Sequence, residues 1–213
     1  MTKALFSFLT ILFLMEGLHS QTVPDVAKKD STTLPPKVIM NDAIADSIKE
    51  ASLQALMVYP WIKSNKASGV LPVPNIDEKQ DINLEYKLVF GLAQIEKDKM
   101  QKANSVLSEI ARSLNLHAAA GIPNSHIHVV VIIFRQGLNI LLKEDLYKAK
   151  FHSSNPNIAL IEELQKAGVK FMSCGQSMMT FGIPKEMMIP GIRVAISART
   201  SFTQYETLGY VPG

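Results

Sequence analysis

Cysteine is nearly absent from this chain: of 213 residues only Cys174 carries a thiol. One thiol closes no intramolecular disulfide and is too few for the common structural zinc sites, so a disulfide scaffold and a zinc module are both excluded. Charge is sparse as well, at 19% of residues, and 22 Lys plus Arg against 19 Asp plus Glu leave a formal net charge of only +3. Basic residues do not cluster with interleaved aromatics, which removes nucleic acid from the expected partners. No apolar run reaches the ~20 residues that a membrane-spanning helix needs. The nucleophile elbow Gly-x-Ser-x-Gly and a glycine-rich phosphate loop are missing too. Apolar residues, by contrast, are plentiful at 47%. At this length that suffices for one domain whose core offsets the entropy of ordering the chain.

The first twenty residues read as a secretory signal peptide: Lys3, an apolar stretch over residues 4–15, then Glu16-Gly17-Leu18-His19-Ser20 before a polar segment. Cleavage after Ser20 is expected, and with it export to a periplasmic or extracellular location and no membrane association afterwards. Residues 21–40, with Pro24, Pro35 and Pro36 and no apolar period, are expected to form a flexible leader. Over residues 41–83 the pattern predicts a helix behind Asn41, with Ile44, Ile48, Ala51, Ala55 and Val58 on one stripe, followed by a loop wrapped on the body.

From residue 84 to residue 213 the periods alternate. Residues 84–92 predict a strand and Ala103, Val106, Leu107, Ile110, Ala111 and Leu114 a helix. Residues 129–133 are five consecutive β-branched residues, the signature of a strand buried on both faces of a parallel sheet. Asn155 and Pro156 fit a helix start and Gly168 its stop, before a strand over 169–173. A helical turn over 176–181, a strand over 192–196 and a helix ending near Gly209 complete the series. The fold class is therefore α/β, a mainly parallel sheet with helices on both faces.

Chemistry in such sheets sits outside the carboxyl ends of the strands, and Cys174 lies at such an end. Behind it, Gly175-Gln176-Ser177 turns the chain into a helix. Gly175 permits close backbone approach, Gln176 and Ser177 offer donors, and free N–H groups favour a thiolate. The other reading of Cys174 is a small buried hydrophobe. Met172, Met178 and Met179 add sulfur to the neighbourhood, a pattern that suits Cu(I) but more often fills a core. His126 and His128 share one face of a strand without a third ligand nearby, so no metal site is assigned.

The segment "NPNIALIEELQKAGVKFMSCGQS" at residues 155–177 resembles the DsrE/DsrF-like family, as does the tail "PGIRVAISARTSFTQYETLGY" at 190–210. Upstream, "LEYKLVF" at 84–90 and "IHVVVIIF" at 127–134 extend the similarity. The resemblance implies a YchN-like α/β fold, homo-oligomers of three or six chains, and no cofactor. It also implies a cysteine, here Cys174, that carries sulfur as a persulfide between donor and acceptor proteins, as a carrier more than a turnover enzyme. Gly175, Gln176, Ser177, Arg135 and Gly137 are its candidate binding residues. Exported relatives show His-Gly where this chain has Phe134-Arg135-Gln136-Gly137, and an acidic residue where it has Gly91. Arg135 is open to two readings, an anion holder that depresses the thiol pKa or a solvated surface group. The competing function is a noncatalytic oligomer that binds a small ligand or a protein, with Cys174 structural.

Overall fold

The computed structural model describes residues 36–96, 98 and 100–213, with side chains from residue 46 onward; the expected signal peptide and the leader up to residue 35 lie outside them. Two units separate, Met1–Asp42 and Ala43–Gly213. Within the first, residues 36–42 are helical. They open helix α1, Pro36–Leu56. Asn41 is thus inside a helix and not its cap, because Pro36 supplies a first-turn residue whose φ is already helical and whose missing N–H costs nothing there. Residues 36–40, assigned to the flexible leader, are part of this helix. Of the expected apolar stripe, Ile48, Ala51 and Ala55 lie on the helix and are exposed, Ile48 at 61%, while Val58 falls beyond the helix end, where it pairs with Val70.

The second unit is built on a five-stranded, all-parallel sheet in the order β4-β3-β2-β1-β5. The strands are β1 Tyr86–Leu92, β2 Ile127–Ile133, β3 Lys170–Cys174, β4 Arg193–Ala195 and β5 Val211–Pro212. The remaining helices are α2 Ser105–Ala119, α3 Glu144–Phe151, α4 Ile158–Lys166, α5 Gly175–Phe181 and α6 Ala198–Thr207. Central β2 is buried along nearly its whole length. Its alternate side chains enter different layers, as a two-residue period requires. Val129, Val131 and Ile133 join Leu107, Ile110 and Leu114 of α2 and Leu160, Ile161 and Leu164 of α4 in the main core. Val130 and Ile132 join Val89, Cys174 and Ala198 in a smaller cluster that Phe202 and Tyr205 of α6 help to cover.

Three elements depart from the sequence expectation. α3 lacks an apolar period; Glu144 and Asp145 in its first turn and Lys148 and Lys150 in its last complement the helix dipole, and Tyr147 alone is buried. β5 is two residues long, too short for any alternation to register. Asn155 does not cap a helix. Its amide donates to the carbonyls of Ile140 and Leu142, its Oδ1 accepts from Asn157, and Asn157 Oδ1 accepts from the Asn104 N–H at 2.8 Å. α4 starts at Ile158, and the Asn-Pro-Asn segment ties the start of α2 to residues 140–142.

Residues 58–70 form a strap across α2 and α4. Asn115, fully buried on α2, accepts from the N–H groups of Trp61 and Ile62 and donates to the carbonyls of Ile62 and Ser68. Glu163 of α4 accepts from the N–H of Lys63 at 2.8 Å and of Ser64 at 2.9 Å. Burial pushes the Glu163 carboxyl up, but the hydrogen bonds of Ser64 and Lys63 and the charge of Lys166 outweigh it, so its pKa lies below the usual glutamate value. A carboxylate with a depressed folded pKa adds stability above its unfolded pKa, and that stability is lost as pH falls through the folded value. Urea midpoints followed from neutral pH to about pH 3 should therefore fall less steeply in Glu163→Gln than in the parent chain. Parallel acid limbs for the two proteins would show that the strap does not depend on this charge.

Candidate functional site

At the carboxyl end of β3 the chain passes without a loop into α5, and Cys174 is the junction residue, in extended conformation (φ −78, ψ 112). Strand alternation sends Phe171 into the main core and Met172 and Cys174 to the second face. Cys174 is 5% exposed. Burial pushes its thiol up, yet the Ser177 hydroxyl and the N–H groups of Ser177, Ala198 and Gln176 hydrogen-bond the sulfur and carry the net shift down, below the ordinary thiol range. With only seven residues in α5, directed hydrogen bonds account for this shift better than a summed helix dipole.

Two turns converge on the sulfur. The start of α5 brings Gln176 and Ser177, and the start of α6 brings Ala198, whose helix is capped by Ser197 accepting from the Thr200 N–H. Gly175 lets them meet. A Cβ there would lie 2.9 Å from the Ala195 carbonyl oxygen, so any larger residue would push the β4–α6 turn, and with it the Ala198 N–H, away from the sulfur. The Gln176 N–H closes the same junction by donating to the Ile196 carbonyl at 3.3 Å.

Ser177 is itself almost fully buried, and its Oγ accepts from the Arg135 N–H at 2.9 Å. Arg135 sits in the left-handed region at φ 52, a conformation that costs a non-glycine residue about 1 kcal/mol and that aims this N–H at Ser177. Beyond Ser177 opens a cleft of about 1180 Å³, lined by the turn after β1 (Gln94, Glu96), the start of α2 (Asn104, Ser105), Arg135 and Gln136 after β2, and Gln176, Ser177 and Thr180 of α5. Arg135, Gln176 and Ser177 thus face one space. Cys174 does not line it; Ser177 stands between the sulfur and the cleft.

Gly137 has no place in the cleft. It is buried in the 3-10 segment Arg135–Leu141, where a Cβ would come within 2.4 Å of the Leu92 carbonyl oxygen, and its N–H donates to the Ala93 carbonyl at 2.9 Å. It is a packing residue that joins the ends of β1 and β2, a correction to its assignment as a binding residue. The sulfur-rich neighbourhood disperses: Met172 packs on the second face, Met178 against the main core, and Met179 is 84% exposed. Among the described residues no group of three or more His, Cys, Asp or Glu converges as metal ligands. His128 binds Glu85. Since Ile133 pairs with Ser173, His128 lies six residues along the sheet from the level of Cys174, about 20 Å away, which excludes a Cys–His dyad between them.

The DsrE/DsrF-like family model matches residues 87–210, more than half of the chain. The chain belongs to the DsrE/DsrF-like family. No curated protein matches it. Among solved structures, a protein of unknown function from Methanobacterium thermoautotrophicum, MTH1491, is similar at 21% identity over 60% of this chain and 97% of that one, with a TM-score of 0.45. In this DsrE/DsrF-like protein Gly91 lies inside β1, beneath the ring of Phe202, which a Cβ at that position would meet at 2.9 Å. An acidic side chain there would displace the ring.

The donor that sequence reading misses is the Ala198 N–H. Any residue type supplies a backbone N–H, so composition is silent, but Ser197 as a cap after a short strand marks a helix start at the same edge of the sheet as Cys174. If the joint between β1 and β2 depends on the missing side chain at position 137, Gly137→Ala should lose about 2–3 kcal/mol of stability in denaturant unfolding. A variant as stable as the parent would show that residues 134–137 can move away from β1 at no cost.

Proposed function

We propose that this protein carries sulfane sulfur on Cys174. Membership of the DsrE/DsrF-like family suggests a role related to sulfur relay; the observation that supports a carrier is the placing of Cys174 at the β3–α5 junction, where hydrogen bonding by Ser177 and neighbouring N–H groups outweighs burial and lowers the thiol pKa below its ordinary value. Thiolate is the nucleophilic form. It attacks the outer sulfur of a donor persulfide, forming a new S–S bond as the donor's own S–S bond breaks and the donor leaves as a thiolate. An acceptor thiolate then takes the outer sulfur from Cys174 in the same way, and Cys174 returns as thiolate. Sulfur moves with no net oxidation or reduction, so the step calls on no metal or organic cofactor.

Export, supported by the composition of residues 1–20, is part of the reading. Oxidising surroundings threaten an open thiol with mixed disulfides and over-oxidation, and a sulfur 5% exposed is protected from both. The same burial means that a donor meets Cys174 only when the junction of α5 and α6 yields. Assembly into trimers or hexamers also belongs to the reading. Exposed Met179, Val194 and Ile196 around an apolar groove of about 420 Å³ support it.

A second reading has its own support. The large cleft excludes the sulfur, as a noncatalytic small-ligand or protein-binding site with a structural cysteine would. Incubating the native protein with a sulfane-sulfur donor and recording intact mass decides between them. A gain of one sulfur atom, removed by reductant and absent from Cys174→Ala, is the carrier outcome. A thiol that stays unmodified until the chain is unfolded leaves the binding reading. Light scattering on the same sample should give three or six times the chain mass, and a monomer would remove the oligomer from the reading.

A further inference from the structure

Three glutamines line the large cleft. Gln94 follows the end of β1, Gln136 that of β2 and Gln176 that of β3, so three adjacent parallel strands each deliver one carboxamide to the same space. Each is anchored through its backbone: the Gln94 carbonyl accepts from Asn104 Nδ2 at 3.3 Å, the Gln136 carbonyl from Asn139 Nδ2 at 2.7 Å and the Gln176 carbonyl from the Thr180 hydroxyl at 2.8 Å. The side chains themselves are exposed and, among the described residues, hydrogen-bond to nothing. The Arg135 guanidinium lines the same space, and no acid among the described residues pairs with it. In the sequence of the turn after β1, Glu96, Lys97, Asp98 and Lys99 alternate in sign and sum to zero, so the turn brings no net charge against Arg135. Ile95, Val106 and Phe181 add an apolar part to the lining.

These groups select a ligand by chemistry. A guanidinium holds a carboxylate through two parallel hydrogen bonds. A carboxamide donates and accepts, and so does a peptide group, so a row of the first complements a row of the second. A polyphosphate would call for several cations or a glycine-rich nest of N–H groups, and the cleft offers one guanidinium and no such loop. Size points the same way. At about 1180 Å³ the cleft exceeds the ~300–1,000 Å³ of most small-molecule sites, too roomy to enclose a single amino acid or a simple anion.

We propose that the cleft binds short peptides with a free carboxyl terminus, the carboxylate on Arg135 and the peptide groups on Gln94, Gln136 and Gln176. This rests on the ligand-binding reading of the cleft, to which it gives a chemical class, and it holds whether or not Cys174 carries sulfur.

Calorimetric titration of the native protein tests it with four probes: N-acetyl-Ala-Leu-Ala-Leu as the free acid, the same peptide amidated at its C-terminus, butyrate and inorganic phosphate. The peptide acid should bind at least about tenfold more tightly than the amide, the loss of hydrogen bonds to a charged group, and more tightly than either anion without peptide groups by a similar factor. Arg135→Gln should bind both peptides alike, at the affinity the parent shows for the amide. Gln94→Ala, which removes a side chain engaged with nothing in the fold, should weaken acid and amide by the same factor and keep their ratio.

Equal binding of acid and amide by the parent would overturn the proposal, in a comparison that needs no variant to fold. So would an Arg135→Gln protein that keeps the preference for the acid, a Gln94→Ala protein that binds both peptides like the parent, or no binding of either peptide at millimolar concentration. Butyrate or phosphate bound as tightly as the peptide acid would overturn the peptide class and leave the ligand-binding reading standing. Sulfur uptake on Cys174 is read separately by mass, so the carrier reading falls or survives on its own result.

Discussion

Burial of β2 on both faces is the constraint from which the rest of this fold follows. Five consecutive β-branched side chains, Val129 to Ile133, leave no face of that strand compatible with water, and all five are buried. The strand must therefore lie between neighbours on both sides, β1 and β3, and between a layer above and a layer below. Parallel neighbours require crossovers, and the crossovers are the helices that become those layers. The two layers are unequal. One side receives α2 and α4 with a large shared core, while the other is covered by α6 and a handful of aromatic residues. Cys174 projects to the thinner side, beside the β4–α6 turn.

That placement decides the chemistry available to the sulfur. Burial alone would favour the neutral thiol, as it does for most structural cysteines. The net shift is in the other direction because hydrogen bonding by the Ser177 hydroxyl and by the N–H groups of Ser177, Ala198 and Gln176 outweighs burial, and Ala198 and Gln176 contribute through their backbone alone. An arrangement of this kind depends on backbone proximity. Gly175 is where it is enforced, against Ala195, and the 2.9 Å approach leaves no room for a Cβ. The Cys-Gly pair is thus one physical unit: the first residue supplies the sulfur and the second the space through which another turn can solvate it.

The parts of the fold that were legible in the sequence are those where burial imposes a period. The β2 run, the α2 stripe and the alternation of strand and helix all follow from apolar spacing, and they suffice for an α/β class with a parallel sheet. Polar or very short elements escaped for the same reason. α3 exposes most of its residues and is organised by charge at its two ends, and β5 has two residues. The Asn-Pro-Asn segment misled because asparagine caps helices and also bridges loops, and only the arrangement in space shows which groups its amides reach. At the site, residue types pointed to Cys174, Ser177 and Arg135, but not to the geometry between them. Gly137 was a candidate binding residue by its place after the second strand and lies instead at a contact between strand ends, since a missing side chain in the sequence does not say what fills its space.

Shielding and reactivity are usually opposed, and here they share a cause. The hydrogen bonds that lower the thiol pKa come from the two turns that close over it, so the sulfur is most readily ionised in the state in which a donor cannot reach it. Opening the junction by moving the β4–α6 turn removes the Ala198 N–H but leaves Ser177 and its own N–H on the α5 side. Opening it from the cleft would move Ser177 first, together with the Arg135 turn whose N–H its oxygen accepts. An approach from the β4–α6 side therefore keeps more of the donors on the sulfur, and hence more of the thiolate, at the moment of attack. Exposed Val194 and Ile196 flank that side, so a protein surface that covers them could displace the turn while the cleft, and the Arg135–Ser177 hydrogen bond at its edge, stay intact.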